Sequence, residues 1–281
     1  MKSKVMVEIK DKNTLNKKKS YKAERKQDIN PSGGHMKEIV ENRVEGKNPV
    51  LEAIKSGRTI EKILIACGMT EGSVREILKK AREKGIVIQE VDRQRLDDIA
   101  ESAAHQGVIA YTAPYQYTDM DEIIKRAMEK GEAPFLIILD EITDPHNFGA
   151  IIRTAECCGA HGVIIPKHRS AGITPAAVKA SAGAVEHLPV AKVTNLSVLI
   201  DKLKQQGIWV VGADLDGLPY TQQDLTGPLA LVIGSEGKGI GRLVKEKCDF
   251  LVTIPVRGQI ESLNASVAAG VLMYEVVRQR G

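Results

Sequence analysis

The chain has 281 residues, 43% of them hydrophobic, enough for one large core or two ordinary ones, and two domains are expected. Its four cysteines, Cys67, Cys157, Cys158 and Cys248, form no CxxC pair, which argues against a disulfide scaffold or a cysteine zinc site and for a reducing, cytoplasmic setting. No run of about 18 apolar residues could span a membrane and no apolar block near the start suits a secretory signal, while the formal charge of +4 is uneven: residues 1–35 hold ten Lys or Arg against four acids, and the rest of the chain holds 30 against 32.

That basic stretch, residues 1–35, comes first in chain order and is too polar to bury a core. It reads as an arm that adds sequence-independent phosphate affinity or as a plain solvated leader, and Gly33-Gly34-His35-Met36 reads as a junction or a second start. From Met36 a small α/β unit follows. In "KNPVLEAIKSG" Val50, Leu51 and Ile54 recur at helical spacing and Gly57 supplies a stop. Next come a strand "KILIA" (62–66), a helix "SVREILKKAREKG" closed by Gly85, a strand "IVIQEV" (86–91), a short helix "RQRLDDIAE" and a strand "GVIAYTA" (107–113). Strands alternating with helices predict a three-layer sandwich.

Residues 114–134 read as a connector with Pro114, Tyr115, Tyr117, an amphipathic "DMDEIIKRAMEKG" helix and Pro134. From Phe135 continuous apolar runs predict buried parallel strands: "FLIILD" (135–140), "GVIIP" (162–166), "IWVVGAD" (208–214), "LALVIG" (229–234) and "FLVTIP" (250–255). Helices are predicted near 148–158, 175–182, 195–206, 240–247 and 264–279. No repeat of fixed period appears.

Three glycine- and polar-rich junctions follow three of these strands, where open α/β sheets hold their ligands. The first, "DPHNFGAIIRTAE", carries Asn147, Gly149 and Arg153. The second, "VIGSEGKGIGRLV", sets Gly234, Gly237, Gly239 and Gly241 around Glu236. The third, "IPVRGQIESLNASVAAG", leads through Ser262, Asn264 and Ser266 into the last helix. Neither the phosphate-cradling GxxxxGK[ST] spacing nor GxGxxG is present. Taken singly, each junction could instead be turn glycines, helix caps and a surface cation.

His146 with Asp140, Glu141 and Asp144 reads as capping residues rather than metal ligands, and His161 and His168 lack partners at ligand spacing. Lys167, His168, Arg169 and Lys179 read as a basic rim for RNA or as a solvated face. At 4% aromatic residues, base stacking on the protein should be limited.

In order and content the junctions resemble the three motifs of the SpoU (TrmH) family over residues 135–279: Asn147, Gly149, Arg153, Thr154 and Ala155 as NxGxxxRTA, residues 231–239 as "LVIGSEGxG", and residues 254–270 as "IP…SLNxSVAxG". The strings "SEGKGIGRLVKEKCDF" and "SLNASVAAGVLMYEV" are most similar to its RlmB branch, and "VEGKNPVLEAI" with "HQGVIA" to that branch's L30e-like RNA-binding domain. The resemblance implies an N-terminal L30e-like α/β domain over 36–113 and a C-terminal SPOUT α/β domain over 135–281 with a deep trefoil knot, a departure from the rule that chains avoid knots. It implies S-adenosyl-L-methionine as cofactor, bent in the knot against Ala213, Asp214, Ile233, Gly234, Ser235, Glu236, Gly237, Ile254, Pro255, Ser262, Leu263 and Asn264, with glycines where backbone must approach the ligand.

The implied reaction is 2'-O-methylation of a guanosine ribose in 23S rRNA, in the P loop of the peptidyl-transferase region, without a metal. Arg153 is the implied activator of the hydroxyl. Because a guanidinium keeps its proton, it is expected to stabilise the forming oxyanion, with help from a phosphate, rather than act as a base. Asn147, Glu236, Ser262 and Asn264 are expected to hold Arg153, substrate and donor loops. The resemblance also implies a homodimer through the C-terminal domain, with the last helix at the interface. A tRNA ribose methyltransferase, a resistance methyltransferase acting on a ribosomal adenosine, and a non-catalytic RNA-binding assembly factor are the alternatives.

Overall fold

A computed structural model describes residues 43–100, 104–260 and 262–281; the basic extension expected over 1–35 lies outside the described residues. The first sheet is built from β1 (Arg43–Glu45), β2 (Ile60–Ala66), β3 (Val87–Val91) and β4 (Val108–Thr112) in the order β1-β4-β2-β3. β2 and β3 run parallel, and β4 is antiparallel to both β1 and β2. Alternation along β2 sends Ile63 and Ile65 to one face, under Val50, Leu51 and Ile54 of α1 (Lys47–Ser56) and Val74, Ile77 and Ala81 of α2 (Ser73–Glu83). Leu64 and Ala66 point the other way and pack with Leu96 of α3 (Arg93–Ile99). The three layers follow from that alternation. Gly57 ends α1 in the left-handed conformation, φ 83°, its N–H returning to the carbonyls of Ala53 and Ile54.

The segment predicted as a connector carries α4 (Met120–Glu129), capped by the Asp119 side chain accepting from the Asp121 N–H. Met120, Ile123, Ile124 and Ala127 bury its apolar face in the core of the second sheet, so the helix is one of that sheet's covering elements.

The second sheet has six parallel strands, β5 (Phe135–Leu139), β6 (Gly162–Pro166), β7 (Val190–Val193), β8 (Trp209–Pro219), β9 (Leu229–Ile233) and β10 (Phe250–Thr253), in the order β10-β8-β9-β5-β6-β7. Phe135, Ile137 and Leu139 face α5 (Pro145–Cys157), α6 (Pro175–Ala180) and α9 (Ala265–Arg280). Leu136 and Ile138 face α4, α7 (Leu196–Gln205) and α8 (Arg242–Lys245). Burial on both faces is why β5, β6 and β9 read as unbroken apolar runs.

The two sheets pack within one compact unit. Between them Arg58 and Glu186 form an ion pair at 2.6 Å with side chains only 11% and 5% exposed. Gly183 (φ +93°) lies so close to α1 that an added Cβ would stand 2.7 Å from the Glu52 Cβ.

The C-terminal turn of α9 is locked down by Glu275, which accepts two hydrogen bonds from Arg278 (2.8 and 2.7 Å) and one from Gln279 (2.8 Å). Gln279 also accepts from the Leu225 N–H and donates to the Gln223 carbonyl. The Arg278 bonds hold the Glu275 carboxyl at about 2, below its ordinary 4.5, against the opposing effect of burial. A depressed carboxyl stabilises the fold above its unfolded value and ceases to as pH falls through the folded one. Glu275→Gln is therefore expected to cost about 2 kcal/mol at neutral pH. In urea titrations the gap from wild type should close as pH drops from 4.5 toward about 2; a gap independent of pH would contradict this.

Candidate active site

Because all six strands run parallel, their C-terminal ends lie on one edge of the sheet, and the three motif junctions leave from that edge. Asp144 caps α5 by accepting from the N–H groups of His146 (3.2 Å) and Asn147 (3.1 Å), which fixes Asn147 in the first turn. Asn264 caps α9 in the same way, its Oδ1 accepting from the N–H groups of Ser266 and Val267 and from the Ser266 hydroxyl.

The free amide of each asparagine turns toward Glu236. Asn147 Nδ2 donates to Glu236 Oε1 at 2.9 Å, Asn264 Nδ2 donates to the same oxygen and to Asn147 Oδ1 at 2.9 Å, and the Ala265 N–H reaches it at 3.3 Å. One carboxylate oxygen thus gathers three N–H donors and ties the junctions after β5, β9 and β10 into one cluster.

The middle junction is a tight hairpin in which Ser235 and Gly239 exchange two backbone bonds, at 3.1 and 2.9 Å. A Cβ on Gly234 would stand 2.1 Å from the Gly239 carbonyl carbon. Asp140 Oδ2 accepts from the Gly241 N–H at 2.8 Å and anchors the far end of the hairpin; burial raises this carboxyl above its ordinary value, partly offset by that bond.

Opposite the hairpin, β8 leaves its partner. Pairing with β10 passes from Gly212↔Leu251 to Leu218↔Val252, so residues 213–217 loop out. Lys245 braces the loop, bonding Asp214 at 2.8 Å and Asp216 at 2.6 Å.

Between the looped-out residues and the hairpin lies a cavity of about 370 Å³, with Ala265, Ala268 and Leu272 of α9 among its lining residues. Of the residues that the resemblance implies for the cofactor, Ala213, Asp214, Ile233, Gly234, Ser235, Glu236, Gly237, Ile254, Ser262 and Leu263 line it. Pro255 and Asn264 are not among the lining residues: Pro255 is exposed, and the Asn264 side chain is occupied in capping α9 and binding Glu236. Arg153 is exposed on α5 and also outside the lining. Leu215, Asp216, Lys238 and Val256 line the cavity without having been singled out. The apolar run before Asp214 signals a strand, but nothing local signals that the strand loops out and resumes.

The cavity combines apolar walls (Leu215, Val252, Leu263 and Leu272), backbone left bare by glycine, and the Asp214 and Asp216 carboxylates. It suits a small ligand with both apolar and polar parts. The acids weighed as metal ligands are otherwise engaged: Asp140 with Gly241, Asp144 with the start of α5, Glu141 with Arg169. Among the described residues no His, Cys, Asp and Glu group could hold a metal ion.

Residues 134–274 match the profile of the SpoU rRNA Methylase family, and residues 43–118 that of the RNA 2'-O ribose methyltransferase substrate binding domain. The chain belongs to the SpoU family. It is 52% identical over 238 residues, 84% of this chain and 95% of the other, to YacO of Bacillus subtilis, assigned to the TrmH family of tRNA/rRNA methyltransferases. The SpoU methyltransferase AviRb from Streptomyces viridochromogenes superposes with a TM-score of 0.72 at 30% identity, covering 85% of this chain and 90% of that one; its complex with AdoMet gives 0.71. An AdoMet-bound rRNA methyltransferase from Sinorhizobium meliloti gives 0.69 at 26% identity, over 85% and 87% of the two chains. The protein is accordingly an RNA methyltransferase of the SpoU/TrmH type, with the mixed α/β fold of that family.

Proposed function

We propose that the cavity binds S-adenosyl-L-methionine and that the enzyme methylates the 2'-oxygen of a guanosine ribose in 23S rRNA. The observation that carries this reading is the convergence of Asn147, Glu236 and Asn264 at the edge of the glycine-lined cavity. The donor, when bound, supplies a methyl group on a positively charged sulfur.

This chain's own residues do the rest. Bare backbone at Gly237 leaves room for a flat ring edge-on, Gly234 lets the hairpin close on Gly239, Leu215 and Leu263 offer apolar surface, and the acids held by Lys245 suit ribose hydroxyls or a cation. Arg153, as a cation, stabilises the oxyanion that forms as the hydroxyl's proton passes to a nearby phosphate or to water.

Two further parts belong to this reading. The chain runs from β9, inside the sheet, to β10 beyond β8, then returns as α9 over β9 and α5, a path that supports a deep trefoil knot. Val267 and Tyr274 of α9 are 52% and 54% exposed, and Leu263 at the cavity stands out beside them, an apolar face that supports a homodimer through the C-terminal domain. Arg153, outside its own chain's cavity, then serves the partner's. The sheet of β1 to β4 is an L30e-like RNA-binding domain in this account, supported by the substrate-binding profile over residues 43–118. Action in the cytoplasm, where the four free cysteines stay reduced, completes it; no helix among the described residues is long and apolar enough to cross a membrane.

Lys245→Met is expected to weaken donor binding several-fold by releasing the looped-out residues of β8, and Lys245→Arg to restore most of it, as read by titration calorimetry. Equal affinities for all three proteins would contradict a bracing role. The substrate assignment is tested by mapping ribose methylation in 23S rRNA and tRNA from cells with and without the gene. Loss of a single guanosine methyl in 23S rRNA is expected; an intact 23S pattern beside a lost tRNA methyl would overturn it.

A further inference from the structure

The same sheet edge that shapes the cavity continues past it. Outward from β9, the neighbours are β5, β6 and β7, all parallel, three strand spacings or about 15 Å in all. The loop after β6 presents Lys167, His168 and Arg169, all exposed. Lys192, near the end of β7, stands with its ammonium 4.2 Å over the ring of Tyr117, and Lys167 donates its backbone N–H to the Val193 carbonyl, which joins the two segments that carry these lysines.

Arg169 is held in an unusual way. It pairs with Glu141, just beyond β5, at 2.5 Å, and both residues adopt left-handed backbone conformations, φ +57° and +59°. Residues with side chains keep that conformation only where their surroundings impose it. Here the Ala171 N–H bonds the Ile142 carbonyl at 2.7 Å and ties the two loops together, while the Ser170 hydroxyl bonds the Pro166 carbonyl at 2.6 Å and closes the loop after β6 on itself. The result is a guanidinium turned toward Glu141 in the loop after β5, yet 78% exposed. One ion pair leaves most of its five N–H donors free.

We propose that RNA flanking the target ribose runs along this edge, with Arg169, oriented by Glu141, as a phosphate contact near the cavity and with Lys167 and Lys192 beyond it. The proposal rests on reading the cavity as the methyl-transfer site. A span of about 15 Å has room for about four phosphates of a stacked strand. Such contacts set the register of the strand and carry no base preference.

The test is equilibrium binding of the full chain to a single-stranded RNA of about 30 nucleotides over a series of salt concentrations. Arg169→Gln should lower the slope of log K against log salt by about 0.7, and Lys167→Gln/Arg169→Gln/Lys192→Gln by about 2, with binding weakened roughly a hundredfold at about 0.1 M salt. Arg169→Lys should keep the wild-type slope, as should Lys125→Gln on α4, and donor affinity and melting temperature should not change in any of these variants. A wild-type slope in the triple variant beside normal methylation overturns the RNA path and leaves the methyl-transfer reading intact. A reduced slope in a protein that methylates no RNA does the reverse.

Discussion

Gly234→Ala is expected to abolish donor binding. Its Cβ would stand 2.1, 2.2 and 2.3 Å from the carbonyl carbon and oxygen of Gly239 and the nitrogen of Ile240, all backbone atoms with no rotamer to escape into. The hairpin has to open, and with it goes the wall that carries Glu236. Gly237 and Gly239 differ: nothing lies within 4 Å of a Cβ at either, but φ of +80° and +64° makes alanine strained by about 1–2 kcal/mol. In calorimetry Gly234→Ala should therefore show no measurable donor binding, whereas Gly237→Ala keeps binding about five- to thirtyfold weaker. Wild-type affinity in Gly234→Ala would mean the cavity is not where the donor sits.

Arg153→Ala is expected to lower kcat by about 10²- to 10³-fold, the effect of removing one oxyanion-stabilising donor. Because Arg153 is exposed and outside the cavity lining, donor affinity should not change. Arg153→Lys keeps the charge but not the planar fork, and should recover only part of the rate. The proposed homodimer adds a sharper consequence. An equal mixture of Arg153→Ala and Gly234→Ala chains, allowed to exchange subunits, contains mixed dimers with one intact cavity facing one intact arginine, and should recover about a quarter of wild-type activity. No recovery would show that Arg153 serves its own chain's cavity.

The sequence made legible what depends on local pattern. Strands β5, β6 and β9 are apolar on both faces and declare themselves as continuous runs, and the apolar stretches of β8 and β10 are long enough to stand out beside them. β1 and β7 escaped because three and four residues are too few for a period, and each sits at the edge of its sheet, defined by its partner. β8 was expected to stop at 214, yet it resumes as far as Pro219, because its far half is specified by β10 from more than thirty residues away. The helix over Met120–Glu129 was visible, but not that its apolar face belongs to the second core.

At the site, the glycines and asparagines stood out as residue types. That Asn147, Glu236 and Asn264 share hydrogen bonds across 117 and 28 residues of chain is a product of topology alone. The same holds for Lys245 beneath Asp214 and Asp216, and for the Glu141–Arg169 pair, which local spacing cannot distinguish from solvated surface charges.

The most direct measurement follows a labelled methyl group. Purified protein is incubated with methyl-labelled S-adenosyl-L-methionine and in vitro transcribed 23S rRNA, and the RNA is digested to nucleosides and separated. Label in 2'-O-methylguanosine, absent with Gly234→Ala, is the predicted result; label on a base, or none on any RNA while the donor is bound, would contradict the account.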